Sequence, residues 1–470
     1  MTLPRPLPSF RPAAPAALAL ALLLSGCSSL RTPYEAPAVA LPAQWQHATG
    51  PAAANGARDA QATTGAWWKA FNDPVLDSLV ASALARNNDL AVATIRVRRA
   101  QLQARLAEHR PQFNASTNAS TSRPVDGGAS TRSNSVSLGV SYEVDLWNRL
   151  GASLDVARWE ALATAQDREA TAQALVGTTA TLYWQLGYYS QRLAAASESI
   201  AYAERTLALV QAQYDAGAVS SLEVAESRQS LASQRASLAQ LRQQYVETSN
   251  ALVLLFDGSA IGPAAPGWSA PRALPTQPLP EVSAGLPAEL LARRPDLRAA
   301  ELRLREALAS VDATRLSYYP QFSLTGALGG SSASLGNVLA NPIATLGAGL
   351  VLPFLNRTEM QVSTDIARAD YEQAVVTFRQ TLYQALTDVD NALSARLRYE
   401  EQAAQLEQSL ADARRAEQLY EVRYRAGAVA LKPWLDAQER RRSAETALAE
   451  NRLNRLSNHA TLFQALGGGL

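Results

Sequence analysis

The sequence predicts a mainly α-helical chain with four β-strands, built as a tandem duplication of one large module. Three observations lead there. First, similar words recur in the same order at nearly constant spacing. "QYDAGAV" around Tyr214 returns as "RYRAGAV" around Tyr424, 210 positions on. "RPQF" returns as "YPQF" after 209 positions, "LWNR" as "FLNR" after 208, and "LARNNDL" as "LARRPDL" after 207. Such a repeat is far longer than a solenoid unit. Second, Arg357 to Tyr424 reads as one uninterrupted helix, and Asn148 to Tyr214 matches it in the first copy. Third, alternating apolar and polar residues mark strands.

Composition narrows the classes. The 470 residues carry 43 Lys and Arg against 42 Asp and Glu, a net charge of +1. Neither this balance nor any basic run points to nucleic acid. The three histidines, His47, His109 and His459, lack metal-ligand spacing. No nucleophile elbow, phosphate loop or metal cluster suggests an enzyme.

The elements follow in order. Residues 1–26 read as a signal peptide: Arg5 and Arg11 precede "AALALALLL", an apolar run too short for a permanent membrane helix. "LLSGC" ends at Cys27, the sole cysteine, and resembles a bacterial lipobox. Cleavage there makes Cys27 an acylated first residue, and Ser28, not Asp, points to the outer membrane. Several acyl chains anchor firmly where one does not. Residues 27–66, rich in Pro, Ala, Gly and Thr, are expected to form an extended tether. Residues 67–258 form the first copy, 259–286 a Pro-rich linker, and 287–470 the second copy.

Within each copy the expected order is short helices, two strands, a very long helix, a turn and a return helix. Gly217 and Gly427 terminate the long helices, because glycine adopts the left-handed conformation cheaply. Return helices are expected over Ser220–Phe256 and Lys432–Leu466. In "SVSLGVSYEVDLW", Val136, Leu138, Val140, Tyr142, Val144 and Leu146 share one face, and Ser135, Ser137, Gly139, Ser141, Glu143 and Asp145 the other. Val136, Val140 and Val144 are expected to face lipid, and Glu143 and Asp145 the lumen. Tyr142, Trp147, Tyr318, Tyr319 and Phe322 are candidates for interfacial aromatic belts. Phe322, Leu324 and Leu328 alternate in the third strand; Leu346, Leu350, Leu352 and Phe354 share a face of the fourth. "QFNASTNAST" is the weakest strand.

Four strands raise a physical difficulty. In lipid every backbone amide must be paired, so a β-structure must close on itself. Single-chain membrane barrels begin at about eight strands. Three chains would supply a barrel of about twelve strands and about twelve long helices.

"WWKAFNDPVLDSLVASALARNNDLAVA" from Trp67, "LPAELLARRPDLRAAELRLREALASVDATRLSYYPQFSLTG" from Leu286 and the paired tips resemble the TolC-like outer-membrane factor family. They are closest to its lipoprotein branch of drug-efflux channels. The resemblance implies a homotrimer with a twelve-stranded outer-membrane β-barrel continued by a twelve-helix periplasmic α-barrel. Shorter helices around residues 74–110, 287–318 and the C-terminus would form a belt. It implies a passive exit duct serving a periplasmic adaptor and an inner-membrane transporter of the RND type, with no cofactor beyond the lipid on Cys27. Family cargoes include drugs, dyes, aromatic acids, metal ions and secreted protein.

The family's aperture aspartate falls on Asp436, in "KPWLDAQ"; the neighbouring position, often acidic there, holds Pro433. The duplication maps these onto Glu226 and Glu223, which are expected to add acidic charge at the constriction. Tyr214 and Tyr424 resemble tyrosines that hold the resting state closed. Asp215 and Arg425 follow them with opposite charge and could pair across neighbouring hairpins. Ala216, Gly217, Ala218, Ala426, Gly427 and Ala428 would meet the adaptor. From the residues alone, a periplasmic adaptor or stalk lipoprotein without a pore shares the anchor and the hairpins; it would not need two pairs of alternating strands.

Overall fold

A computed structural model describes residues 30–47, 66–257, 268, 270–282 and 284–468. Cys27 and the whole signal segment lie outside these residues. The helices are α1 (Pro74–Arg86), α2 (Asn88–Leu106), α3 (Arg149–Asp215), α4 (Ser221–Leu254), α5 (Pro295–Ser317), α6 (Arg357–Arg425) and α7 (Leu431–Ala465). The strands are β1 (Gln112–Ser122), β2 (Thr131–Val144), β3 (Gln321–Ser332) and β4 (Ile343–Val351). Among the described residues no helix is long and apolar enough to cross a membrane.

The chain divides into two compact units, and neither coincides with one sequence copy. One comprises residues 1–38, 98–163 and 300–378; the other comprises 39–97, 164–299 and 379–470. Both copies contribute to both units.

The first unit holds the sheet. Its four strands pair antiparallel in the order β1-β2-β3-β4, so the two copies fuse through β2 and β3. Register places Phe113 beside Val140, Val140 beside Gly326 and Gly326 beside Leu346. The next row on that face joins Ala115, Leu138, Leu328 and Ala344. The opposite face carries Gln112, Ser141, Thr325 and Gly347, then Asn114, Gly139, Ala327 and Thr345. One face is thus apolar and the other is made of small, mostly uncharged groups, as the alternation requires. β1, the weakest strand in sequence, is held by eleven paired positions against β2. β1 and β4 are the sheet edges, exposed along their whole lengths.

Aromatic residues gather where strands meet helices. The Trp147 ring lies 5.4 Å from that of Tyr319, and its Nε1–H donates to the Pro320 carbonyl at 2.7 Å. Tyr318 donates to Ser363 Oγ at 3.0 Å. Nearby, Thr32 binds Asp312 through both its N–H and its hydroxyl, each at 2.8 Å. Within the expected extended tether, Thr32 is therefore fastened to α5 by polar bonds.

In the second unit, the portions of α3 and α6 that belong to it pack with α4 and α7. At 67 and 69 residues, α3 and α6 run about 100 Å each. Gly187 sits inside α3 because the linker crosses it closely. A Cβ there would lie 3.2 Å from Pro271 Cγ and 3.3 Å from the Ala273 carbonyl oxygen. The core joins remote segments: Trp67 stacks on Phe463 at 5.3 Å, and Phe71 meets Trp184 at 5.0 Å and His459 at 5.4 Å. Tyr183 donates to Asp73 Oδ2 at 2.7 Å, tying α3 to the cap of α1. Leu274 and Val282 of the linker are also buried.

Candidate functional site at the hairpin tips

Each long helix ends in the same six-residue device. Gly217 has φ 71° and Gly427 φ 70°. The Ala218 N–H donates to the Gln213 carbonyl at 2.8 Å and the Gly217 N–H to the Tyr214 carbonyl at 2.9 Å. The second copy repeats both bonds at 2.9 Å, from Ala428 to Arg423 and from Gly427 to Tyr424. This is a Schellman motif, which satisfies the last carbonyls of a helix and needs a left-handed residue. No heavy atom lies within 4 Å of a Cβ built on either glycine. Both tips are therefore sterically open.

The return helices start by two different chemistries. In the first copy Ser220 and Glu223 form a capping box. Ser220 Oγ accepts from the Leu222 N–H at 3.2 Å, and the Glu223 carboxylate accepts from the Ser220 N–H at 3.0 Å. The Ser220 hydroxyl also donates to the Glu223 carboxylate, and this bond first, then the Glu223 and Ser220 N–H groups, hold the carboxyl below its ordinary pKa. In the second copy the equivalent residues are Ala430 and Pro433. Proline there lacks an N–H of its own, and the helix begins after Ala430 with no side-chain cap.

The repeated tyrosines differ. Tyr424 is 6 % exposed, whereas Tyr214 is 44 % exposed. The Tyr424 hydroxyl donates to Gln213 Oε1 at 2.7 Å, joining the two hairpins of one chain. Its ring stacks on Trp434 at 5.1 Å. Val210, Val224, Leu431 and Trp434 complete a buried cluster around it. Burial, with the nearby Glu223 charge, raises the Tyr424 pKa. The hydroxyl therefore stays a donor at any physiological pH. Tyr202 packs edge-on to Trp434 at 6.2 Å; burial and Glu421 push its pKa up to about 12.

The expected charged residues have local partners. Asp215 accepts from Gln211 Nε2 at 2.9 Å, and Arg425 pairs with Glu421 at 2.7 Å. Within this chain Asp215 and Arg425 thus engage their own helices. Asp436 pairs with Lys432 at 3.1 Å. Glu226 is half-buried, and the position four residues before it is Leu222, not a lysine. In the sheet unit, Glu143 accepts from Arg149 Nη2 at 2.7 and 2.8 Å. β2 ends at Val144, so Asp145 is not a strand residue: its carboxylate accepts from the Gly151 N–H at 3.0 Å and caps α3. Gln213 and Trp434 were not singled out by sequence. A comparison of the copies offered one signal: Trp434 replaces Val224, a large change at a buried place. No group of His, Cys, Asp and Glu among the described residues could hold a metal ion.

Comparison with known proteins places this geometry. The outer membrane efflux protein family matches residues 79–257 and again 286–468. The chain is 33 % identical to the pyoverdine export outer membrane protein OpmQ of Pseudomonas putida, covering 100 % of this chain and 98 % of that one. It is 32 % identical to the toluene efflux pump outer membrane protein TtgC of Pseudomonas putida, covering 96 % and 94 %. Among solved structures it resembles CusC with a TM-score of 0.81 at 27 % identity, covering 94 % of this chain and 100 % of that one.

Proposed function

Since the chain belongs to the outer membrane efflux protein family and is an outer-membrane exit channel, not an enzyme, we propose that three identical copies complete the duct. The carrying observation is the open sheet. Four strands in linear order leave β1 and β4 unpaired within the chain. Exposed on those edge strands are Phe113, Ile343 and Leu346. Lipid tolerates no unpaired edge, and joining the β4 of one copy to the β1 of the next closes the wall at about twelve strands.

In this reading Cys27 carries the acyl anchor, with no other cofactor. The hairpin tips form the periplasmic aperture, and Ala216, Gly217, Ala218, Ala426, Gly427 and Ala428 receive an adaptor. The openness of the tips supports that contact. An inner-membrane transporter, of the RND type, supplies energy; the duct conducts passively. The cargo is a small molecule, a drug or other toxic compound, in keeping with relatives named for export of pyoverdine and efflux of toluene.

The test is purification from outer membranes in mild detergent. Light scattering should give about three times the 50.2 kDa chain mass, and microscopy should show a hollow cylinder. A folded single subunit with no cylinder would refute the assembly. Deletion should sensitise cells to a panel of antibiotics, detergents and metals, and the pattern of sensitivity identifies the cargo.

A further inference from the structure

The two hairpins carry the same interhelical ion pair with opposite polarity. In the first, Glu204 on α3 meets Arg235 on α4 at 2.8 Å. In the second, Arg414 on α6 meets Glu445 on α7 at 3.0 Å. Both residues of the second pair lie 210 positions after their counterparts, so the contact is inherited and its charges are exchanged. About one turn nearer the tip the copies differ again. Leu207 and Leu231 of the first copy correspond to Glu417 and Arg441 of the second. Glu417 and Arg441 form an ion pair with side chains only 12 % and 20 % exposed, and Arg441 also holds Glu445 at 2.8 Å.

We propose that this reversal is a pairing code. It directs α4 to α3 and α7 to α6, and blocks exchange of return helices between hairpins. The need for one is physical. The two hairpins descend from one sequence, and their return helices pack against each other. Exchanging partners would face Glu204 with Glu445, and Arg414 with Arg235. It would also set Arg441 against Leu207 and Glu417 against Leu231, taking from the enclosed Glu417 its Arg441 partner. Charge therefore separates the two arrangements at this level of the hairpins. Exposed pairs such as Glu204–Arg235 contribute little to stability. Their polarity still selects a partner, because discrimination depends on repulsion in the wrong pairing.

The proposal distinguishes a code from a local staple. In the full-length protein, Glu204→Gln with Arg235→Gln removes the first pair. Glu204→Arg with Arg235→Glu keeps a pair but gives both hairpins one polarity. A staple predicts that the reversed variant outperforms the neutral one. A code predicts the opposite, since reversal makes the exchanged pairing attractive. The readouts are the protease-resistant fraction in isolated outer membranes and the oligomer yield on unheated gels. The expected ranking is wild type, then neutral at about half, then reversed at roughly a fifth or less. Any ranking in which the reversed variant is not the lowest overturns the proposal. The pairing rule concerns helices of one chain, although oligomer yield as a readout rests on the proposed trimer. Wild-type protein without oligomers would count against the trimer alone, and the protease ranking would still decide the code.

Discussion

Replacing Tyr424 by Phe should loosen the joint between the two hairpin tips while leaving its packing intact. The hydroxyl makes one hydrogen bond, to Gln213 at 2.7 Å, and the ring contributes stacking on Trp434 that Phe retains. A bond of this kind contributes about 1 kcal/mol net. Gln213 is only half-buried, so water can reach its freed oxygen and no larger penalty follows. A loss of about 1 kcal/mol shifts an open-to-closed ratio about fivefold. If three chains open together the factors multiply to roughly a hundredfold. Single-channel recording in planar bilayers reads this as a rise in open probability, and uptake of a bulky antibiotic should rise with it. Tyr214→Phe is the internal control, because that ring is 44 % exposed. Equal behaviour of the two variants, or no change in either, would refute the assignment of the clasp to Tyr424.

Other outcomes follow from the same geometry. Gly217→Ala and Gly427→Ala meet no steric obstacle, yet each forces a left-handed non-glycine at φ near 70°, which should destabilise by about 1–2 kcal/mol and lower the melting temperature. Because Lys432 offsets Asp436, Glu226→Gln should reduce cation preference more than Asp436→Asn, measured by reversal potential across a salt gradient; the opposite order would remove Glu226 from the aperture. His459 is buried between Phe71 and Phe463, with Arg396 nearby, and its pKa falls from 6.5 to about 4. The unfolded chain then binds more protons between those values, so stability is full above about pH 6.5 and drops by about 3 kcal/mol per chain by pH 4. His459→Gln should flatten that acid-side decline in thermal melts.

Much of the fold was legible because its signals are local. Left-handed glycines at the tips, strict alternation in β2 and long proline-free stretches each report on a few neighbouring residues. The capping box at Ser220 was equally readable, since Ser followed three residues later by Glu before an apolar run is a helix-start signature. Glu223 thus has a capping role beside the acidic charge expected of it at the constriction. What sequence did not supply were contacts across long separations. Nothing local in Gln213 announces that it receives the Tyr424 hydroxyl. Nothing near Trp67 foretells Phe463, and His459 is packed between Phe463 and the equally distant Phe71. β1 illustrates the boundary: its apolar signal is nearly absent, and only its register against β2 makes it a strand.

Divergence between the copies is the deeper source of information. Positions that stayed alike, such as the tip septets, perform a task each hairpin must complete by itself: ending one helix and beginning another. Positions that changed in pairs perform tasks that distinguish the hairpins. Where the first copy has Ser220 with Glu223 the second has Ala430 with Pro433, a capped helix start in one hairpin and an uncapped start with a proline in its first turn in the other. Glu204 with Arg235 became Arg414 with Glu445, a contact preserved and its sign inverted. Val224 became Trp434, and only the second copy then offers a surface on which its tyrosine can stack. A single unpaired change would have left a charge or a cavity uncompensated, which costs about 1–3 kcal/mol. Compensated change is what allows one duplicated module to build two hairpins that stay structurally alike and chemically distinct.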